Sequence, residues 1–209
     1  MKKQMLIFLI IFLPISAMAQ NDFHRWQIGA SFSPDALGVG IDRIRDTGKF
    51  SFTTGLNTVY KFTNSFGIET GVFFSNKRFF YNTNRSGMPV WHYSFQYIDV
   101  PLRVNYYFGK GKLRGLATLG AVANFRQYCS IRAILHENST EELFADFTKK
   151  IHFSTLVGIG MEYKLSDRFT LRAIPIARFG LKETIREYVI YEVHLWSLGA
   201  EIGIFYRLK

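Results

Sequence analysis

The chain has 209 residues, enough for one domain built as a large barrel or sandwich, and it contains 21 Phe, 11 Tyr and 3 Trp. Aromatic residues at this frequency suit β-strands and the belts found at membrane interfaces. The formal net charge is +10, but no basic helix or RNA-type motif accompanies it, which argues against a nucleic-acid partner. The lone Cys129 excludes an intramolecular disulfide and is expected to be an inert thiol.

The N-terminus has the pattern of an export signal. Lys2 and Lys3 precede an apolar run and an A-x-A cleavage site that ends at Ala19. We therefore predict a signal peptide at residues 1–19 and an outer membrane β-barrel domain at 20–209. A retained membrane anchor is the alternative, but the apolar run is short for a spanning helix. Cleavage leaves 24 basic residues (26 less Lys2 and Lys3) against 16 acidic ones, a basic surface suited to anionic lipid.

Eight extended segments follow in chain order, most of them long enough to cross a bilayer as tilted strands. They cover residues 23–33, 50–61, 66–81, 93–108, 113–128, 151–165, 169–181 and 193–208. The connections alternate in length. Short ones lie at 62–65, 109–112 and 166–168, and long ones at 34–49, 82–92, 129–150 and 182–192. Short periplasmic turns alternating with long extracellular loops are typical of outer-membrane barrels.

The strands alternate between an apolar row and a row of Gly, Ser, Thr and Asn with isolated charges. In FQYIDVPLRVNYYF, for example, Ile98 to Phe108 form one row and Asp99 to Tyr107 the other. A soluble lipocalin-like barrel also alternates, with its apolar row inside. The sparse charge of the polar rows and the aromatic residues near strand ends favour lipid outside and a polar interior. Pro101, within a long strand, is expected to mark a bulge or an edge.

We therefore predict an all-β fold, an eight-stranded antiparallel up-and-down transmembrane β-barrel. The segment YIDVPLRVNYYF resembles the strand motif of the PorT-like outer membrane β-barrel family of Bacteroidota. The matching residues are Tyr97, Asp99, Pro101, Leu102, Tyr106 and Tyr107. The resemblance implies an outer membrane location and allows a role beside the type IX secretion and gliding machinery, without implying an activity. The chain departs from the usual barrel ending, because the terminal aromatic residue is displaced by Arg207-Leu208-Lys209.

Charged side chains are predicted inside the barrel, where they must pair or hydrate. The interior polar core is expected to contain Glu69, Asp99, Arg103, Arg114, Glu162, Arg172 and Glu201. Asp99 and Arg103 are too far apart along their strand to pair ideally, so cross-strand partners such as Glu69 or Arg114 are favoured. A salt-bridged core that rigidifies the barrel is the main interpretation. A narrow channel or anion site is an alternative, because bases outnumber acids on the predicted inward rows.

An enzyme hypothesis depends on one weak pattern. His152 and Ser154 lie two apart on one strand face, as in the His-x-Ser pair of some lipid A deacylase barrels. The pair faces inward in the predicted register, the Asn expected after it is absent, and no orienting acid is evident. No histidines have metal-ligand spacing, so we predict a non-enzymatic protein without cofactor or metal.

The long loops are the remaining candidates for binding. Within the longest, Ser139 to Glu142 resembles a helix start. We predict a monomeric barrel with a structural or interaction role through its extracellular loops. Its expected partners are outer membrane lipid and lipopolysaccharide, the barrel assembly machinery, and a cell-surface or secretion-system protein. A channel, a deacylase-like enzyme and a periplasmic lipocalin-like carrier are the alternatives.

Overall fold

The computed structural model describes residues 25–40, 47–48, 50–81, 90–135, 139–143, 150–181 and 194–208. The predicted signal peptide at 1–19 and the predicted loop at 182–192 lie outside these ranges. Within the described residues, no helix is long and apolar enough to cross a membrane.

Ten strands make up the described part of the chain. They are β1 (Trp26–Gly40), β2 (Thr47–Gly48), β3 (Phe50–Lys61), β4 (Phe66–Tyr81), β5 (Val90–Phe108), β6 (Leu113–Leu135), β7 (Ser139–Leu143), β8 (Ile151–Lys164), β9 (Phe169–Gly180) and β10 (His194–Arg207). Eight long strands pair in the order β1-β3-β4-β5-β6-β8-β9-β10, and β10 pairs with β1. Every pairing is antiparallel. The predicted eight-stranded antiparallel barrel is therefore confirmed.

Three strands extend further than predicted, at the end of the barrel opposite the short turns. β1 continues to Gly40, β5 begins at Val90 and β6 reaches Leu135. Parts of the predicted loops at 34–49, 82–92 and 129–150 are therefore strand. The expected helix start at Ser139 is wrong, because residues 139–143 form β7, which pairs with β6 from Ile131↔Leu143 to Leu135↔Ser139. Backbone pairing with a long neighbouring strand outweighs the local helix signal.

The three short connections are tight turns that local chemistry fixes. The hydroxyl of Thr63 accepts hydrogen bonds from the backbone N–H groups of Ser65 and Phe66 at 3.1 and 3.0 Å. Ser166 does the same for Arg168 and Phe169 at 3.3 and 3.1 Å. In the third turn Gly109 and Gly111 have φ of 86° and 95°, values that favour glycine. This end is the periplasmic end of an outer-membrane barrel.

Three prolines lie inside strands and each interrupts one pairing ladder. β4 and β5 pair at Thr70↔Leu102 and again at Phe73↔Asp99, with no pair at Pro101 between them. Equivalent gaps lie beside Pro34 in the β1–β10 ladder and beside Pro175 in the β8–β9 ladder. Proline has no N–H to donate, so the ladder skips it without a register change. The predicted bulge or edge at Pro101 is wrong, because β5 pairs with β4 and β6 on both sides and its one register shift in these ladders lies between Gln96 and Tyr97.

The outer wall of the barrel is apolar. Leu56, Leu102, Leu119, Ile159 and Leu198 are each more than half exposed. Aromatic residues ring the periplasmic strand ends on the same face: Trp26, Phe66, Tyr106, Phe108, Tyr163, Phe169 and Tyr206. The lipocalin-like alternative requires these rows inside the barrel, and the structure has them outside. An apolar band bounded by an aromatic girdle is the surface that a lipid bilayer requires.

Candidate functional site

The inward rows form the candidate site, because strand alternation buries them against one another. In β8, for example, His152, Ser154, Leu156 and Glu162 are buried, while Phe153, Val157 and Ile159 are exposed. An eight-stranded barrel is just wide enough for such side chains to fill. The buried charged residues are five acids and five bases: Asp35, Glu69, Asp99, Glu162, Glu201, Lys61, Lys77, Arg103, Arg172 and Arg178.

Arg172 of β9 is the centre of the network. Its Nε donates to Glu162 Oε2 and its Nη1 to Glu69 Oε2, each at 2.9 Å. Its Nη2 donates to Gln27 Oε1 at 2.8 Å and to Tyr107 Oη at 2.9 Å. The guanidinium carbon lies 3.8 Å from the centre of the Phe205 ring. Arg172 is 2% exposed, so these partners replace the water that the cation would otherwise need.

Glu69 of β4 is the matching anion. Its Oε1 accepts from Asn57 Nδ2 at 2.7 Å and lies 3.4 Å from Arg103 Nη1. Its Oε2 accepts from Asn105 Nδ2 at 2.8 Å, in addition to Arg172. Four donors from three strands thus satisfy one buried carboxylate. Hydrogen bonds between charged partners are shorter and stronger than those between neutral groups, so these contacts hold Glu69 firmly in the interior.

Three of the ion pairs span the lumen. Arg103 of β5 donates to both carboxylate oxygens of Glu201 of β10, at 2.8 and 2.9 Å. Lys61 of β3 lies 3.0 Å from Glu162 of β8, and Arg172 of β9 pairs with Glu69 of β4. In each pair the two strands are four places apart in the eight-stranded ring, and therefore on opposite walls. These pairs are the cross-lumen braces.

The extracellular half of the interior holds a second, smaller set of contacts. Arg178 Nη1 donates to Asp35 Oδ1 at 2.8 Å, and Thr53 Oγ1 donates to Asp35 Oδ2 at 2.8 Å. Asn124 donates to Asp99 at 2.7 Å and accepts from the Ser154 hydroxyl at 2.9 Å. Asp35 falls within the predicted loop at 34–49, and the structure has it in β1. The signal that identifies it is the buried row Ser31, Ser33, Asp35 and Leu37, which continues the alternation of β1 past Pro34.

A cluster of apolar side chains lies between parts of these two polar regions. It consists of Tyr107, Leu116, Val122, Leu156, Ile174 and Ile176. These residues come from β5, β6, β8 and β9, which are neighbours on one side of the ring. The interior is thus apolar along this wall, whereas Arg178 and Glu201, 3.8 Å apart, connect the two polar regions.

The structure places the predicted core residues in two groups. Glu69, Asp99, Arg103, Glu162, Arg172 and Glu201 are buried, and all of them except Asp99 belong to the network around the cross-lumen braces. Arg114 is half-buried at the periplasmic end, where its Nη2 donates to the Asn64 carbonyl oxygen. Arg103 pairs with Glu69, one of the predicted cross-strand partners. It also pairs with Glu201, a partner that the sequence does not predict.

The motif residues lie on both faces of β5. Tyr97, Asp99, Pro101 and Tyr107 face the interior, and Leu102 and Tyr106 face outward. Tyr107 contributes to the network through its hydroxyl and through its ring, which lies 3.9 Å below Lys61 Nζ. Tyr97 stacks edge-on against His152, with ring centres 4.8 Å apart. The motif therefore contributes side chains to both polar regions of the interior, Asp99 to the extracellular one and Tyr107 to the network around Arg172.

A small cavity lies at the extracellular side. Its lining residues are Leu37, Lys77, His152, Ser154, Arg178, Gly180, Trp196 and Ser197, and its volume is about 10 Å³. That volume is about the room that one water molecule needs. His152 Nδ1 and Arg178 Nη2 are buried without a hydrogen-bond partner.

The His152 and Ser154 pair does not form the arrangement that nucleophilic catalysis requires. The Ser154 hydroxyl donates to Asn124 rather than to His152, and His152 packs against Tyr97. Both side chains are buried in the lumen, on the opposite side of the wall from lipid acyl chains. Among the described residues no cluster of His, Cys, Asp and Glu is arranged to hold a metal ion.

A closed barrel with an apolar outer wall, an aromatic girdle and an ion-paired interior defines a transmembrane β-barrel. The chain belongs to the outer membrane protein β-barrel domain family, whose model matches residues 5–200. The family places the protein in the outer membrane. No curated protein sequence matches this chain.

Solved structures share the fold at low sequence identity. Neisserial surface protein A superposes with a TM-score of 0.51 at 11% identity, covering 88% of this chain and 97% of that one. A major outer membrane protein from Thermus thermophilus gives 0.52 at 12%, covering 88% and 100%. OprG from Pseudomonas aeruginosa gives 0.50 at 13%, covering 87% and 94%. At these identities the likeness concerns the fold alone.

Proposed function

We propose that the protein is a non-conducting, non-enzymatic outer membrane scaffold that presents an extracellular β-structure to a partner. The observation that carries the proposal is the set of cross-lumen braces. Three ion pairs tie opposite walls together and occupy the space through which a solute would pass. Breaking buried pairs costs several kcal/mol for each partner left uncompensated, on the order of 3–5 kcal/mol. Thermal opening of a path is therefore rare.

The part that extends beyond the membrane supports the interaction role. β6 has 23 residues and β5 has 19, whereas roughly 9–11 residues cross a bilayer as a tilted strand. β7 adds a third strand to the extracellular end of β6. A paired sheet that rises from a rigid barrel is a surface on which binding is commonly located. Lipopolysaccharide and a cell-surface or secretion-system protein are the proposed partners.

Conductance across planar bilayers tests the closed state. The purified, refolded barrel is expected to give no steps above the bare membrane at 100 mV in 1 M KCl. An Arg103→Ser/Glu201→Ser variant removes one brace without leaving either partner alone, and brief openings are expected from it. Stable steps from the unaltered protein would instead support the narrow-channel alternative. Heat-dependent gel mobility checks that both proteins are folded.

The interaction role is tested in intact cells with a photocrosslinking residue. Position Arg132, exposed on the extracellular part of β6, is expected to crosslink to lipopolysaccharide or to a surface protein. Position Gln127, exposed on the same strand, is the matched control nearer the membrane. Equal crosslinking at both positions, or none at either, argues against an extracellular partner.

Two finer parts of the proposal come from the sequence. Export with removal of residues 1–19 is supported by the Lys2-Lys3 start and the A-x-A site at Ala19, and N-terminal sequencing of the outer-membrane form tests it. Association with type IX secretion is supported by the motif from Tyr97 to Phe108. Deletion of the gene is expected to reduce secreted cargo in the culture medium, and unchanged secretion would remove this role while leaving the scaffold intact.

A further inference from the structure

The periplasmic mouth of the barrel is strongly basic. We define it as the short turns, the strand ends next to them, and residues 25 and 207. Outside the buried interior it carries seven basic residues: Arg25, Lys110, Lys112, Arg114, Lys164, Arg168 and Arg207. The only carboxylate among the described residues of this region outside the buried interior is Asp167. Within the described ranges, none of the seven cations forms an ion pair.

The positive charge of the described chain is concentrated here. The described residues contain 16 bases and 8 acids, and the fully buried interior is neutral, with five of each. Seven bases and one acid lie at the mouth, so this end holds six of the eight surplus positive charges. The predicted excess of bases on the inward rows therefore does not extend to the buried core. The bases that lie on inward rows without being buried are Arg25, Arg114, Arg126, Lys164 and Arg207. All of them except the half-buried Arg126 lie at this mouth.

These cations surround the opening rather than facing lipid. Arg25, Arg114, Lys164 and Arg207 continue the inward rows of β1, β6, β8 and β10. The outward positions beside them carry Trp26, Leu113, Tyr163 and Tyr206, which are exposed apolar or aromatic side chains. Lipid headgroups therefore meet mainly the aromatic girdle, and a ligand approaching along the barrel axis meets the charge.

Some of the cations are held in place by neutral acceptors. Arg207 Nε donates to Thr170 Oγ1 at 3.0 Å, and its Nη2 donates to the Ser166 carbonyl oxygen at 3.3 Å. Arg114 donates to the Asn64 carbonyl oxygen, and its guanidinium carbon lies 5.5 Å from the centre of the Tyr107 ring. Carbonyl and hydroxyl oxygens orient a guanidinium without neutralising it. Arg114 and Arg207 are thus held in place, and no carboxylate among the described residues neutralises them.

From this arrangement we propose that the periplasmic mouth binds an acidic segment of a periplasmic protein. Positive charges on four different strands and two turns match a chain carrying several carboxylates better than a single small anion. The buried Lys61–Glu162 brace crosses the lumen next to the mouth, so we place the docking site at the mouth itself. Opposite charge on the two partners speeds their encounter and makes the binding sensitive to salt.

A labelled decaglutamate peptide provides the test. The folded barrel in zwitterionic detergent is expected to bind it at 50 mM salt and to lose at least ten-fold in affinity at 500 mM salt. Lys110→Glu/Lys112→Glu/Lys164→Glu is expected to abolish this binding. The matched control, Arg78→Glu/Lys150→Glu, changes exposed bases at the extracellular end and is expected to leave the affinity unchanged. Heat-dependent gel mobility shows that each variant is folded.

Three outcomes overturn the proposal. These are no binding of decaglutamate, equal binding by the triple variant, and binding that the extracellular control variant reduces to the same degree. A lipid role is distinguished by flotation with phosphatidylglycerol vesicles. If those vesicles retain the barrel through the same three lysines while decaglutamate does not bind, the mouth recognises lipid phosphates and no acidic segment. None of these results depends on conductance, so they are independent of the scaffold proposal.

Discussion

Arg103 and Glu201 meet in the middle of the barrel although they start from opposite walls. Two parallel hydrogen bonds of 2.8 and 2.9 Å join the guanidinium to the carboxylate. Bidentate pairs of this kind have a fixed geometry as well as a strong attraction. The pair therefore links β5 and β10 across the lumen, although the two strands are not neighbours in the sheet.

Removing the central cation is expected to destabilise the barrel strongly. Arg172→Met keeps an unbranched side chain but leaves Glu69 and Glu162 with fewer donors. The expected loss in the free energy of unfolding is about 3–5 kcal/mol, measured by urea titration in lipid vesicles with tryptophan fluorescence. Arg78→Met, at an exposed position, is the control and should change little. A loss below about 1 kcal/mol for Arg172→Met would show that the network is dispensable.

The bidentate brace is expected to act as a unit. Arg103→Met leaves Glu201 with only the longer contact to Arg178 at 3.8 Å, and Glu201→Met leaves Arg103 with only the contact to Glu69 at 3.4 Å. Each single variant should therefore lose stability. The double variant should lose less than the sum of the two, with an interaction energy of about 1–3 kcal/mol. Urea titrations of all four proteins give this value. Strict additivity would mean that the two side chains do not depend on each other.

The membrane orientation is expected to be sensitive to charge on the outer wall. Ile159 is 65% exposed near the middle of β8. Ile159→Arg should cost about 2–4 kcal/mol if this position faces the bilayer midplane. The folded fraction in vesicles, read from gels with and without boiling, measures the effect. Asn64→Arg in the β3–β4 turn serves as the comparison and should fold normally, whereas equal folding of both variants would contradict a lipid-facing row.

Ser154 is expected to be a structural residue. Ser154→Ala removes a donor to Asn124, and the expected cost is about 1 kcal/mol. Lipid A extracted from cells that express the variant should carry the same acyl chains as lipid A from cells with the unaltered protein. A change in acylation that appears only with an intact Ser154 would revive the deacylase alternative.

The sequence predicts the rows of this barrel better than it predicts their partners. Period-two alternation is local, so it indicated which side of each strand Glu69, Arg103 and Arg172 occupy. It also gave the bounds of β3 and β4 as the structure has them. The meeting of β5 with β10 across the lumen depends on strand tilt and closure, which no short segment encodes. The sequence alone therefore does not predict the Arg103–Glu201 pair.

At two places the structure differs from what the local sequence pattern predicts, and each difference has a physical reason. Pro34 resembled the start of a loop, but a proline is tolerated in a strand where a ladder hydrogen bond is skipped. Asp35 beyond it was consequently missed as an interior anion. Residues 139–142 carry a helix-capping pattern, yet pairing with the extracellular end of β6 determines their conformation. Both errors arise where contacts with distant segments outweigh local preference.

The cross-lumen braces also bear on how the chain reaches its final form. Their partners are separated by 98, 101 and 103 residues along the sequence. A half-assembled sheet contains one partner of each brace, so it gains nothing from these three pairs and has only the ion pairs between neighbouring strands, such as Arg103–Glu69 and Arg172–Glu162. All three braces form at the same stage, when β10 closes against β1, and their stabilisation is gained in that one step. We expect slow and strongly cooperative folding, because long-range contacts of this kind can form only late, and partly closed sheets should be too unstable to accumulate.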